Sequence, residues 1–405
     1  MHLVPRFLQR PLHTQKRQVT RQTNPNVPLQ LPVELWEYII SYVDAFATLM
    51  ALCGVSRTFY HLTRRIAYTS LDLRPGRPQS MGAYRSLCAT ISLPEYSRLV
   101  VSLSLVLNPL YTCETLLGLR GRWNCDCLQW ESMLGDAVTQ LSNLQSLEVR
   151  CSAHHAKHTY LANLSSRQLQ RLRLVCSCLG GTPLDPIHVL SAPCMQSLNH
   201  LCWEQILPGA QGAQPIPTPG QRSDIVPNLV SIWLEMPTEI GWLLDQRPVR
   251  RLGSSFLDQA LYGQIRRHAE NITYLDIEFS YPSHQTWIAT ISPSLKNLRH
   301  LGCLLPDSDT SLRLPYNLEG FRALAQTLES LRFHDKHERN YTEQRRMIDS
   351  IQGSFPKLRL VIPNGISEWI WCRTSTWVRQ ERSRDSLRGW RLLSGGLDNL
   401  LSPIA

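Results

Sequence analysis

Cys113, Cys125, Cys127 and Cys151 lie close in the chain to His154, His155 and His158. Thiolates and imidazoles are the usual ligands of a tetrahedral zinc ion, so metal chemistry is the first possibility to weigh. Structural zinc sites pair their cysteines as Cys-x-x-Cys knuckles, whereas Cys125 and Cys127 stand as Cys-x-Cys. Cys176 and Cys178 repeat that spacing on an expected strand, and buried reduced thiols are the commoner use of such residues. No metal is expected. There is also no Gly-rich phosphate loop, no Gly-x-Ser-x-Gly elbow and no His-Glu-x-x-His pair. Neither a cofactor nor catalysis by this chain is expected. What remains is recognition, which depends on the surfaces that the folded elements present.

The chain has 405 residues with 43% hydrophobic content, enough for a small module and a large domain with a real core. No apolar run reaches the ~18 residues of a membrane span. The start, with Pro5, Arg6, Arg10 and Pro11, lacks the apolar block of a secretory signal, so cytosol or nucleus is the expected location. Twelve cysteines are too dilute for a disulfide scaffold and should be reduced there, and the sequons at Asn163, Asn271 and Asn340 should be unused. Of the net charge of +10, half comes from Arg6, Arg10, Lys16, Arg17 and Arg21 in residues 1–30, which contain no acid. That stretch reads as a disordered basic tail, and Pro5 and Pro11 spoil the amphipathic helix of a mitochondrial presequence. A nucleic-acid-binding function rests on this tail alone.

Between Leu31 and Leu62, apolar periodicity and helix-start chemistry coincide. Pro32 suits the first turn of a helix, and Glu34 lies near the positive end of its dipole. Leu35, Ile39 and Tyr42 or Val43 form one apolar face, which Trp36 and Ile40 widen. Leu49, Leu52, Val55, Phe59 and Leu62 continue the spacing, giving two or three short helices with a break near Gly54 and Ser56. So small a unit cannot bury that much apolar surface alone. The residues Leu31, Pro32, Glu34, Leu35, Ile39, Ile40, Leu49, Leu52, Val55, Ser56, Arg57 and Phe59 resemble the F-box, which opens with Leu-Pro-x-Glu and ends with Val-Ser-Arg-x-Phe. One departure is Thr48 in place of an acid before the second helix, where it could serve as a cap. The resemblance implies docking on a Skp-type adaptor, and through it on a cullin and a RING subunit, in an SCF-type ubiquitin ligase. The implied contacts are Leu31, Pro32, Leu35, Ile39, Ile40, Leu52, Val55 and Phe59. The bland alternative is a helical cap on the large domain.

Farther along, a short strand recurs: a leading Leu or Ile, two residues, then an apolar-x-apolar triplet. The triplets begin at Leu147, Leu172, Leu201, Ile232, Leu275, Leu301 and Leu331, with earlier members at Leu71 and Leu103 and a later one at Leu358. The wide gap between Ile232 and Leu275 is expected to hide a degenerate repeat around "VRRLGSSF". The pattern resembles leucine-rich repeats, with the usual Asn after the strand absent or replaced. The expected fold class is therefore α/β: a helical F-box at residues 31–73 followed by an irregular leucine-rich-repeat-like solenoid at 74–365, in which each repeat covers its neighbour's apolar face. An ordinary α/β sandwich is the alternative. Residues 207–228, rich in Pro and Gly, read as a loop. Residues 366–405 read as a helical cap carrying Trp369, Trp377 and Trp390.

The function this implies is substrate recognition for an SCF-type E3 ligase, the runner-up being an interaction scaffold without a ligase. By the two-residue period, the polar side of the repeat strands carries Glu148 and Arg150, Arg173 and Val175, Cys202 and Glu204, Trp233 and Glu235, Asp276 and Glu278, Gly302 and Leu304, and Arg332 and His334. An acidic groove of Glu204, Glu235, Asp276 and Glu278 around Trp233 is expected there, suited to a Lys- or Arg-rich segment of a protein substrate.

Overall fold

The computed structural model describes residues 31–43, 46–73, 81–107, 127–151, 159–176, 185–205, 224–235, 241–279, 282–304, 318–333, 340–363, 367–372 and 376–381. The chain divides into two compact units, Met1–Leu169 and Gln170–Ala405.

The first unit opens with three helices, α1 (Val33–Ser41), α2 (Phe46–Cys53) and α3 (Arg57–Thr69). Helix α3 passes without a linker into strand β1 (Ser70–Leu73). Helices α4 (Met81–Ile91) and α5 (Pro94–Ser97) lead to β2 (Ser102–Leu107), and a helix at Cys127–Thr139 leads to β3 (Ser146–Cys151). The three strands are parallel and in register, Leu71 beside Leu103 and Leu103 beside Leu147.

The second unit repeats this plan from β4 (Arg171–Cys176) through β5 (His200–Gln205), β6 (Ser231–Leu234), β7 (Arg251–Phe256), β8 (Tyr274–Phe279), β9 (His300–Leu304), β10 (Ser330–Phe333) and β11 (Leu360–Pro363). Each strand pairs in parallel with the next in sequence, and short helices or 3-10 turns make the returns. The register aligns Leu172, Leu201, Ile232, Leu252, Leu275, Leu301, Leu331 and Val361 in one row. Every member of that row is fully buried. So are the leading residues Leu169, Leu198, Leu229, Leu298 and Leu328. A repeat burying two or three such side chains gains ~1.5–3 kcal/mol for each, but only when a neighbouring repeat covers them. This is a leucine-rich-repeat-like α/β solenoid. Its strand entries share one device: the carbonyls of Gln170, Asn199, Val230, Arg250, Thr273, Arg299 and Glu329 each accept two successive N–H groups of the next strand. That ladder of backbone bonds organises the strand entries without the usual Asn.

Strand β7 is the expected degenerate repeat, and it divides the long gap. Two other expectations are corrected. The last repeat lies three residues later than expected: Val361, not Leu358, stands beside Leu331, and Leu358 is the buried leading residue. The segment after Pro363 does not form a helix over its described part. It forms β12 (Ser367–Cys372) and β13 (Thr376–Glu381), an antiparallel hairpin along β11. Trp369 and Trp371 lie two apart, which suits the alternation of a strand rather than the turn of a helix. Trp369 and Trp377 are buried, and their indole N–H groups donate to Gln344 and Gln352 of the helix Tyr341–Ser354 at 3.2 and 2.9 Å. Trp390 and the tail at residues 1–30 lie outside the described residues, as does most of the expected loop at 207–228.

Candidate functional site

Two surfaces carry the residues singled out above. In α1 the backbone turns about 100° per residue, so the adjacent isoleucines face different sides of the helix. Ile40 is buried with Leu49, Leu62 and Ala67 in a small core, with Trp36, Val43, Leu52, Phe59, Ile66 and Tyr68 packed around it. Trp36 and Phe59 meet edge to face at 4.9 Å. Ile39 faces outward. Leu31, Val33, Leu35, Tyr38, Ile39, Tyr42 and Val55 form the complementary set, between 40 and 67% exposed. Five of the eight expected contacts, Leu31, Pro32, Leu35, Ile39 and Val55, are exposed; Leu52 and Phe59 are half-buried. Ile40 is a core residue, which corrects its assignment as a contact. Tyr38 and Tyr42 were not assigned as contacts; their four-residue spacing beside Leu35 and Ile39 was the signal. Their rings lie 5.0 Å apart, and the Tyr42 hydroxyl donates to that of Tyr38 at 2.6 Å.

Local chemistry sets these helices. The Pro32 carbonyl receives the N–H groups of Leu35 and Trp36 at 3.1 and 3.2 Å, so Pro32 precedes the first turn and does not lie within it. Ser56 caps α3 by accepting from the Phe59 N–H at 3.2 Å. Thr48 lies inside α2 and does not cap it. The Arg64 guanidinium stacks over Tyr96 at 4.1 Å and donates to the Glu95 carbonyl at 2.9 Å, which fixes α3 against α5. Because Ile40 and Leu35 face opposite ways, their truncations should separate. Ile40→Ala should cost ~2–5 kcal/mol of the three-helix module's stability, whereas Leu35→Ala should leave it nearly unchanged, as read by amide hydrogen exchange across α1–α3.

The second surface is the polar side of β4–β10. Its middle row runs Arg173, Cys202, Trp233, Gly253, Asp276, with Gly302 and Arg332 on the following strands. Trp233 and Asp276 are buried here, which corrects their expected exposure. A Cβ on Gly253 would overlap the Trp233 ring, and one on Gly302 would overlap the Asp276 carboxylate. The two glycines thus leave room for their neighbours to lie across the sheet. Asp276 is held by Arg332 at 2.5 Å and by the Tyr274 hydroxyl at 3.1 Å, with His300 at 3.8 Å. Burial alone would raise its pKa, but Arg332 and His300 bring it below the ordinary aspartate value. Glu204 accepts from Arg173 at 3.2 Å and from the Cys202 thiol at 3.0 Å. Glu235 accepts from the Ser255 hydroxyl, and burial raises its pKa. The expected acidic residues are therefore largely paired within the fold, and Glu204 and Glu235 remain half-exposed. The side chains of Glu278, Leu304 and His334 lie outside the described residues.

His200 begins the adjoining row, its Nδ1 lying 3.0 Å from the Ser231 hydroxyl. Burial first, then Arg171 and Arg251, push its pKa down to about 4. An unfolded chain binds that proton near pH 6.5, so stability is full above that value and falls as pH drops toward 4, by up to roughly 3 kcal/mol. Unfolding titrations between pH 7 and 4.5 should show this slope, and His200→Gln should flatten it.

Among the described residues, no group of three or more His, Cys, Asp or Glu is placed to hold a metal. Cys151 and Cys176 are buried. Cys113, Cys125, Cys178, His154, His155 and His158 lie outside the described residues, as does the side chain of Cys127. Among the described residues, no helix is long and apolar enough to cross a membrane.

No curated protein matches the chain in sequence. Among solved structures, internalin C2 from Listeria monocytogenes str. 4b F2365 is similar at 17% identity and a TM-score of 0.25, over 56% of this chain and 74% of that one. The F-box domain model matches residues 28–69. That match falls on the three helices whose outward face is described above, and the module preceding the parallel strands of this chain is an F-box domain.

Proposed function

We propose that this chain is the substrate-recognition subunit of an SCF-type E3 ubiquitin ligase. Its F-box holds a Skp-type adaptor, and through it a cullin and a RING subunit, while the solenoid binds a protein substrate. The chain itself supplies no chemistry, and transfer is promoted by holding the target near the ubiquitin-charged enzyme. The observation that carries this reading is the outward apolar face of the F-box. Leu31, Pro32, Leu35, Ile39 and Val55 are left in water by a module whose own core is already filled. A contiguous exposed patch of this kind marks a protein interface. Leu52 and Phe59 lie half-buried behind it, and Ile40 supports it from the core.

The substrate surface in this reading is the polar side of the solenoid, with Glu204 and Glu235 at its rim, Trp233 and Asp276 shaping the strands beneath, and Glu278 proposed from its strand position to belong to it. It would operate in cytosol or nucleus. The test is direct binding of the purified chain to a Skp-type adaptor, followed by reconstitution with cullin and RING subunits. Failure to bind at micromolar concentration removes the reading, and binding without any supported ubiquitin transfer leaves a scaffold.

A further inference from the structure

The polar side of the second unit also carries a basic end. In one register row, Arg171 of β4, His200 of β5, Ser231 of β6 and Arg251 of β7 stand beside one another. Strands lie ~4.8 Å apart, so the Cα atoms of the two arginines are separated by ~14 Å, a span that two side chains of that length can close from both sides. Between them are a partly buried imidazole and a fully buried serine, whose hydroxyl lies 3.0 Å from His200 Nδ1 and holds the ring in place between the two arginines. Arg171 is exposed, and Arg251 is half-buried with further contacts of its own. Both cations act on the His200 ring, so the three groups share one neighbourhood.

We infer that Arg171, His200 and Arg251 form an anion-binding site that takes a phosphate or carboxylate group on a segment of the protein substrate. Guanidiniums bind both groups through paired, charge-assisted hydrogen bonds, and the neutral imidazole can add one more donor. A peptide fits better than a nucleic acid because of what lies farther along the same strands. Glu204 and Glu235 stand four residues beyond His200 and Ser231, ~13 Å away at the strand rise. A polyanion crossing the face would meet those carboxylates, whereas a peptide with one anionic group near Arg171 can offer a cation or a neutral residue there. The inference rests on the solenoid binding protein, as proposed above.

The experiment uses the full chain bound to its Skp-type adaptor and three degenerate peptide libraries with a fixed central phosphoserine, glutamate or serine. A single-stranded RNA of mixed sequence is run alongside at the same ionic strength. Phosphoserine and glutamate libraries should both be retained over serine, or phosphoserine alone if the site requires a dianion. Arg171→Ala should weaken retention ~10-fold, the usual value of one charge-assisted bond, and Arg171→Lys should restore part of it. Arg171 is exposed, so its replacement should leave the fold intact, which circular dichroism verifies. Equal retention of all three libraries, indifference to Arg171→Ala, or Arg171-dependent capture of RNA in preference to the peptides would each overturn the assignment. Loss of peptide binding with adaptor binding intact would leave the F-box function standing, and the two failures are thus separable.

Discussion

Leu35→Asp combined with Ile39→Asp is expected to abolish capture of a Skp-type adaptor, weakening it ~100-fold or more. Both side chains are nearly half-exposed and lie one turn apart on α1, so the change places two charges at the centre of the apolar face. Neither belongs to the core around Ile40, so the module should stay folded. Titration of the adaptor against wild-type and variant chains, with circular dichroism as the folding control, checks this. Leu31→Ala with Pro32→Ala should act in the same direction. A doubly substituted chain that still binds the adaptor at wild-type affinity would mean that the outward face is not the contact surface.

Asp276→Ala should be among the most destabilising single changes in the second unit, at ~3–5 kcal/mol, because it leaves the Arg332 charge without the carboxylate that solvates it. Gly302→Ala should damage the same place from the opposite side, since its Cβ would occupy the carboxylate's position. Chemical denaturation of each variant measures the loss. The double variant Asp276→Ala, Arg332→Leu should recover much of it, because an apolar pair does not carry an unpaired buried charge. The pH dependence separates this group from His200. The depressed pKa of Asp276 makes its contribution constant above the ordinary aspartate range, and the contribution is lost only as pH falls through that range and below. The His200 slope lies higher, between about 6.5 and about 4. An Asp276→Ala chain as stable as wild type would show that the buried pair is replaceable by water.

The sequence alone was sufficient wherever a local rule decides the outcome. The helix start at Pro32, the break between α2 and α3 near Gly54 and Ser56, and a leading Leu or Ile three residues before the triplets are short-range patterns, and all three are visible in the string of residues. The solenoid followed because its repeats interact with their immediate neighbours, which makes a one-dimensional pattern nearly sufficient for a one-dimensional stack. Even β7, whose triplet has only one large apolar member, was found from the width of the gap. Which isoleucine faces in, whether Trp369 sits on a helix or a strand, and whether Asp276 is a ligand contact or a buried anchor were settled by tertiary structure. Ile39 and Ile40 differ only in which side of α1 the Leu49–Leu62 core occupies. Asp276 reads as an exposed acid until Arg332, fifty-six residues later, is brought across Gly302 to neutralise it. Pairings at that range depend on strand register, which the stack imposes and no short segment encodes.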